Sequence, residues 1–172
     1  MRYEFRATWD KWVWLMTIVF IAIFGLLPMG MIAYAMTTPG ANRNSLIAVA
    51  VIMLAVLAVT YFFAPQVYTV EPGNLIIQRP GTDVIIPLDQ VEGMEVADGW
   101  PIFRGAFRRF ASGGALGFFG SFWNSTLKGF TAYATRLDKV VVLYRYNGGP
   151  IVVSPDDIER FMAAMQEAKR WR

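Results

Sequence analysis

The side chains best equipped for chemistry lie between Asp98 and Asp138. That stretch holds no acidic residue but carries Arg104, Arg108, Arg109, Lys128 and Arg136. Aromatic rings are threaded among the bases: Trp100, Phe103, Phe107, Phe110, Phe118, Phe119, Phe122 and Trp123. Guanidinium groups suit phosphate and carboxylate oxygens, and such rings settle where apolar and polar media meet. Arg104, Arg108, Arg109, Phe118, Phe119, Phe122, Trp123 and Lys128 are therefore candidate contacts for a lipid or a protein partner. The block before them is the reverse. From Gln66 to Asp98, Arg79 stands alone against Glu71, Asp83, Asp89, Glu92, Glu95 and Asp98.

Other chemistries fit less well. Gly113, Gly114, Gly117 and Gly120 suggest a phosphate-cradling loop, but no Lys-Ser/Thr follows and no strand-loop-helix frame surrounds them. Bases with aromatics can also stack single-stranded nucleic acid, a use that sits poorly with a small anchored chain. The competing structural reading is that the rings fill a core or an oligomer contact while the glycines permit tight turns. Asp156 and Asp157 are adjacent carboxylates, yet helix capping accounts for both. The chain has neither cysteine nor histidine, which excludes disulfides and thiolate chemistry and removes the usual neutral-pH base and metal ligand. No catalytic residue, cofactor, metal, small-molecule substrate or nucleic-acid partner is expected.

Two apolar runs must position this segment. Val13–Met36 and Ser45–Phe63 lie almost back to back, and between Lys11 and Glu71 the only charge is Arg43. At about 1.5 Å per helical residue, each run can cross about 30 Å of hydrocarbon. They predict a transmembrane helical hairpin with no internal charge for an ion path. A signal peptide is the alternative, with Ala33-Tyr34-Ala35 as its cleavage site, but the run outlasts a signal core. Pro28, with Gly25 and Gly30 nearby, should kink the first helix. Ala48, Ala55 and Ala58 offer a small-residue face for its packing. Arg2, Arg6 and Lys11 precede the first run, whereas the link carries Arg43 alone, so both termini should be cytoplasmic. The net charge of +3 suits a membrane protein with basic flanks. The expected order is a cytoplasmic segment (1–12), a first span (13–36), an external loop (37–44), a second span (45–64) and a cytoplasmic domain (65–172).

Beyond Pro65 the period changes. Val67–Val70, Leu75–Arg79 and Asp83–Pro87 read as strands parted by Pro-Gly turns, an antiparallel meander. Val91, Met94 and Val96 suggest another, with Gly93 blurring its edges. Val140–Tyr146 and Ile151–Val153 flank an Asn-Gly-Gly turn. Ser154 should cap a helix with Pro155 at its first position. Ile158, Phe161, Met162, Met165 and Ala168 then recur on one face.

Short antiparallel strands closed by one capped amphipathic helix resemble a pleckstrin-homology (PH) fold. With the two-helix anchor in front, the chain is similar to membrane-anchored bacterial PH-like domain proteins. The resemblance rests on YTVEPGNLIIQRPG…VIIPLDQVEGMEV (68–96), GGALGFFGSFWNSTLKGFTAYATRLDKVVVL (113–143) and IVVSPDDIERF (151–161). It implies a mainly-β, α+β domain, a partly open barrel of antiparallel strands capped by the C-terminal helix, and no catalytic residues. Phosphoinositide-binding relatives use bases around the first strand turn. Here that turn is Glu71-Pro72-Gly73-Asn74, with Arg79 alone nearby, so inositol-lipid recognition does not carry over. The expected protein is a non-enzymatic, multi-pass inner-membrane protein presenting a domain for protein binding or homo-oligomer formation. The alternative is recognition of anionic membrane lipids through residues 100–136.

Overall fold

In a computed structural model, residues 2–40 and 42–170 are described. The chain runs β1 (Tyr3–Arg6), α1 (Lys11–Ile21), a π-helical turn (Ala22–Leu26), α2 (Leu27–Thr37), α3 (Arg43–Phe63), β2 (Val67–Glu71), β3 (Asn74–Gln78) and β4 (Val84–Pro87). A 3₁₀ turn leads into β5 (Val91–Ala97), followed by α4 (Gly99–Phe103), β6 (Phe107–Gly114), β7 (Gly117–Asn124) and β8 (Lys128–Ala134). The chain closes with β9 (Val140–Arg145), β10 (Ile151–Val153) and α5 (Ile158–Arg170).

The α1–α2 rod is continuous from Lys11 to Thr37, and both it and α3 are long and apolar enough to cross a membrane. The expected distortion at Pro28 takes the form of the π turn one step earlier. Proline has no N–H to offer the preceding turn, and a widened turn absorbs the lost bond. The small-residue face is corrected. Ala48, Ala55 and Ala58 are exposed, and the less exposed side of α3 runs through Leu46, Ile47, Ala50, Met53, Leu54 and Leu57. The rod supplies the small partner instead: a Cβ at Gly25 would sit 3.7 Å from Leu57 Cδ2. One bare backbone is enough for close approach.

The strands form two sheets, β1-β2-β3-β4 and β5-β9-β10-β8-β7-β6, rather than a closed barrel. Residues 3–6, read from sequence as a flank, are β1, paired antiparallel to β2 from Tyr3↔Val70 to Arg6↔Val67. Their hydrophobic content is slight, but Phe5 enters the core and meets the Phe161 ring edge-on at 5.3 Å. Because β1 precedes the rod and β2 follows α3, one sheet holds both lower ends of the helix pair. The all-antiparallel expectation also needs one correction. β10 inserts between β9 and β8 and runs parallel to β8.

The main core lies between the sheets and under α5, with Tyr68, Val70, Leu75, Ile77, Leu143, Val153, Phe161 and Met165 buried. The other face of the larger sheet is covered by α4, where Ile102 joins Phe122, Phe130, Val140, Val142 and Val152. The run Val140–Leu143 thus alternates between two cores, which explains its unbroken hydrophobicity. Each such fully buried large side chain contributes about 1.5–3 kcal/mol. The α5 stripe is in place, with Phe161, Met165 and Ala168 buried and Ile158 and Met162 partly so.

Ser154 does not cap α5. Its hydroxyl is buried and accepts from the Thr135 N–H at 2.7 Å, while Asp157 caps by accepting from the Arg160 N–H at 3.0 Å. Pro155 and a bend at Asp156 separate the buried Ser154 from α5, which leaves Asp157 at the helix start. The buried Tyr68 hydroxyl joins this network by donating to the Tyr133 carbonyl at 2.6 Å. Burial pushes its pKa up to about 12.

Tyr68→Phe leaves that carbonyl without its donor and should cost about 1–3 kcal/mol in chemical denaturation at neutral pH. The pH dependence has a definite sign. A tyrosine whose folded pKa lies above the unfolded value of 10 contributes stability that is complete below pH 10 and is lost as pH rises through about 12. The alkaline fall in stability should therefore be shallower in the phenylalanine variant. An equally steep fall would assign it to other groups.

Candidate functional site

The basic aromatic segment is a short helix followed by three strands. Its centre is the β6–β7 hairpin, which has no charge between Arg109 and Lys128. Two residues, Ala115 and Leu116, make the turn between Gly114 and Gly117. Leu116 takes the left-handed conformation at φ 58° that few non-glycine residues adopt. Its surroundings hold it there. The Leu116 N–H donates to the buried Thr17 Oγ1 at 2.9 Å, and its side chain packs with Ala64 and Phe119. Ile21, Leu54, Leu57 and Tyr61 border the same spot. Leu57 lies six residues above Phe63, so the tip reaches about 9 Å up the helix pair.

The helices are fastened to the domain on the same side. Asp10 caps α1 through the Val13 N–H at 2.8 Å and with its other oxygen accepts from the Leu137 N–H at 2.7 Å. Trp12 meets Trp100 edge-on at 6.0 Å.

The hairpin divides the eight nominated residues by strand alternation. Phe118 and Phe122 point to the α4 face, where Phe103 stands 4.7 and 5.5 Å from their rings and Phe130 stacks on Phe122 at 5.6 Å. Phe119 is buried on the opposite face. These three rings are committed to packing. Arg104, Arg108, Arg109, Trp123 and Lys128 are exposed. Arg104 closes α4, and Lys128 opens β8 at a φ of 60°. Arg108 and Arg109 lie on β6, at a register shift between Arg108 and Phe110. Arg108 folds back along its strand over Gly113, where a Cβ would fall 2.6 Å from its Nε. Without that glycine the guanidinium would have to move.

Two further rings belong with the exposed bases. Phe107 is 69% exposed and Phe110 is 90% exposed, both on β6, the outermost strand of its sheet. Sequence reasoning noted both but had no means of choosing them over Phe118 or Phe122. Only the strand order separates an edge strand from one with neighbours on both sides. Arg79 follows β3 and lies with its guanidinium 5.4 Å from the Phe63 ring centroid and 5.8 Å from that of Tyr133.

Two packed sheets, one C-terminal helix and an exposed edge of cations and rings define a binding module. Residues 66–169 match the family model described as Bacterial PH domain, and the chain belongs to that family. No curated protein and no solved structure matches it. PH domains are in general non-catalytic modules that bind lipids or proteins. The strand β1 precedes the matched region and extends its first sheet.

Thr17→Val should free the hairpin tip without unfolding the domain. The lost acceptor leaves the buried Leu116 N–H unpaired, at about 1–3 kcal/mol. Hydrogen exchange on the full chain in detergent should show residues 113–117 exchanging about fivefold faster or more, with β9 unchanged. Thr17→Ser, which keeps the oxygen, should restore slow exchange; unchanged exchange in the valine variant would show that the bond does not hold the tip.

Proposed function

We propose that this protein is a non-enzymatic, membrane-anchored PH module whose basic aromatic edge contacts anionic lipid headgroups on the cytoplasmic face of a bacterial inner membrane. The rod and α3 serve as its two spans, with residues 1–12 and 65–172 on the same side. Pairing of β1 with β2 supports that arrangement, because both chain ends emerging from the helix pair enter one sheet. The exposed rings Trp9, Trp12, Trp14, Tyr61 and Phe62 cluster at the domain ends of the spans, as an interfacial belt does.

The observation that carries the lipid reading is the course of the β6–β7 hairpin. Its uncharged tip lies against the spans, Phe110 follows beside their lower turns, and Arg109 and Arg108 come next along the strand. That order supports a reading in which the rings meet the hydrocarbon boundary and the guanidinium groups meet phosphates. Protein association is the second reading, favoured by the open β6 edge, which leaves backbone groups free to pair with another strand. Strand pairing alone gives the exposed guanidinium groups of Arg108 and Arg109 no anionic partner, whereas lipid headgroups supply one.

Full-length chain in nanodiscs tests the lipid reading. Backbone exchange at residues 107–110 should slow severalfold when zwitterionic lipid is replaced by anionic lipid. The effect should vanish at high salt or when Arg104, Arg108 and Arg109 become alanine. Equal exchange in the two lipids defeats the lipid reading, and protection that rises with protein concentration would favour self-association. The topology is checked separately, since the chain has no native thiol. A cysteine replacing Asn42 should react with an impermeant reagent in intact cells, and one replacing Thr82 should not; the opposite pattern reverses the orientation.

A further inference from the structure

The face of the hairpin opposite α4 borders a cleft whose one cation, Arg79, the headgroup-contact reading does not use. It lies between the last turns of α3 and the β6-β7-β8 sheet, with Val59, Phe63, Arg79, Phe110, Phe119 and Tyr133 in its walls. Its volume is about 620 Å³, within the range that holds a small ligand. Apart from Arg79, no side chain in its lining carries a charge. Arg79 Nε donates to the Thr82 carbonyl at 2.7 Å, which fixes the side chain and leaves both terminal amino groups unspent by that bond. Among the described residues no carboxylate forms an ion pair with it. A half-buried guanidinium held beside rings and aliphatic carbon is a ready partner for one anionic group.

We infer that this cleft is a specific site for one anionic phospholipid, with the phosphate on Arg79 and part of an acyl chain along Val59, Phe63 and Phe110. The inference rests on the reading of α3 as a span. The cleft then opens where the helix leaves the hydrocarbon, so a lipid can enter sideways without leaving its leaflet. Charge complementarity selects this occupant over a peptide. The one fixed charge is positive, and the remaining wall is rings and aliphatic carbon continuous with the apolar side of α3. The site also differs in kind from the exposed β6 edge. There several exposed cations meet many headgroups; here one anchored cation meets one.

Native mass spectrometry tests the proposal on the full chain released from nanodiscs of mixed phosphatidylglycerol and phosphatidylcholine. One phosphatidylglycerol per chain should survive release, at least tenfold in excess over phosphatidylcholine. Arg79→Gln should remove that retained lipid, and Arg79→Lys should keep part of it. Val59→Trp, which fills the wall from the α3 side, should reduce retention with the arginine intact, so the result does not hang on one variant. Melting temperatures of the variants should stay near that of the parent chain. Equal retention of the two lipids, or retention unchanged in both Arg79→Gln and Val59→Trp, overturns the site. Inorganic phosphate at millimolar concentration should not displace the lipid; displacement would mean that the cleft reads a free anion. The triple alanine variant of Arg104, Arg108 and Arg109 should retain the lipid while losing exchange protection at the edge. The two sites can therefore fail independently.

Discussion

The arrangement depends on a buried polar seam that sews the start of the chain to its end. Thr135 is its centre. Its hydroxyl donates to the Thr8 carbonyl at 2.8 Å, its N–H donates to Ser154 Oγ at 2.7 Å, and its carbonyl accepts from the Asp10 N–H at 3.4 Å. Tyr68 adds its hydroxyl from β2, and at the exposed end of the seam Asp156 accepts from the Arg6 N–H at 3.2 Å. The buried groups among these would cost free energy if left unpaired. Satisfied together, they fix residues 6–10 against β2, β8 and the approach to α5. That stretch is the entry to α1, so the direction of the helix pair is set inside the domain. Arg136 and Asp138 pair just beyond the seam, where the guanidinium holds the Asp138 carboxyl below its ordinary range. This pair is partly exposed and adds little to stability, but it closes the loop that carries Leu137 to Asp10.

A second fastening follows from the first. With α1 directed by the seam, its Thr17 meets the hairpin tip and its Trp12 meets Trp100. Ala64 at the end of α3 packs with Leu116 and Phe119. The domain therefore touches the helices at the rod, at α3 and through β1. A linker of Gly and Ser would let a domain explore many orientations; three points of attachment do not. An edge or cleft that faces a bilayer only part of the time gains little from it, whereas a fixed one binds without repeating that orientational cost.

Legibility in the sequence followed the length and patterning of each apolar run. The two long helices declare themselves by uncharged apolar runs, β2, β3 and β4 by short runs between turns, β9 by an unbroken apolar run and α5 by a stripe at helical spacing. β6 and β7 do not, since Gly113, Gly114, Gly117 and Gly120 occupy places where alternation would show. Their glycines answer to local geometry instead. At Gly120 the φ is 110°, and a Cβ would lie 2.2 Å from the Phe110 carbonyl oxygen. β1 was hidden for another reason: its partner lies more than sixty residues away, and the alternation Tyr3-Glu4-Phe5-Arg6 is too short to stand out. Ser154 shows how a good local rule loses. Its capping motif is complete in sequence, but a buried backbone N–H at Thr135 claims the hydroxyl.

The same reasoning explains why the candidate contacts were only half separable beforehand. Composition marks a cationic, aromatic segment, and that much depends on residue type alone. Which rings are free depends on strand order. Phe122 has β6 on one side, β8 on the other and α4 across its face, so its ring is enclosed. Phe110 has a neighbour on one side only, and it stays open. Arg79 is the sharper case. Read linearly, it is a lone base in an acidic block, the single cation near the strand turn that binds inositol lipids in related folds. In space, β3 carries it to the end of α3, where the rings of Phe63 and Tyr133 flank a cation fixed through Thr82. The acidic block and the basic segment thus do not meet the helices as opposites, because the one cation that the acidic block contains is the one placed at their foot.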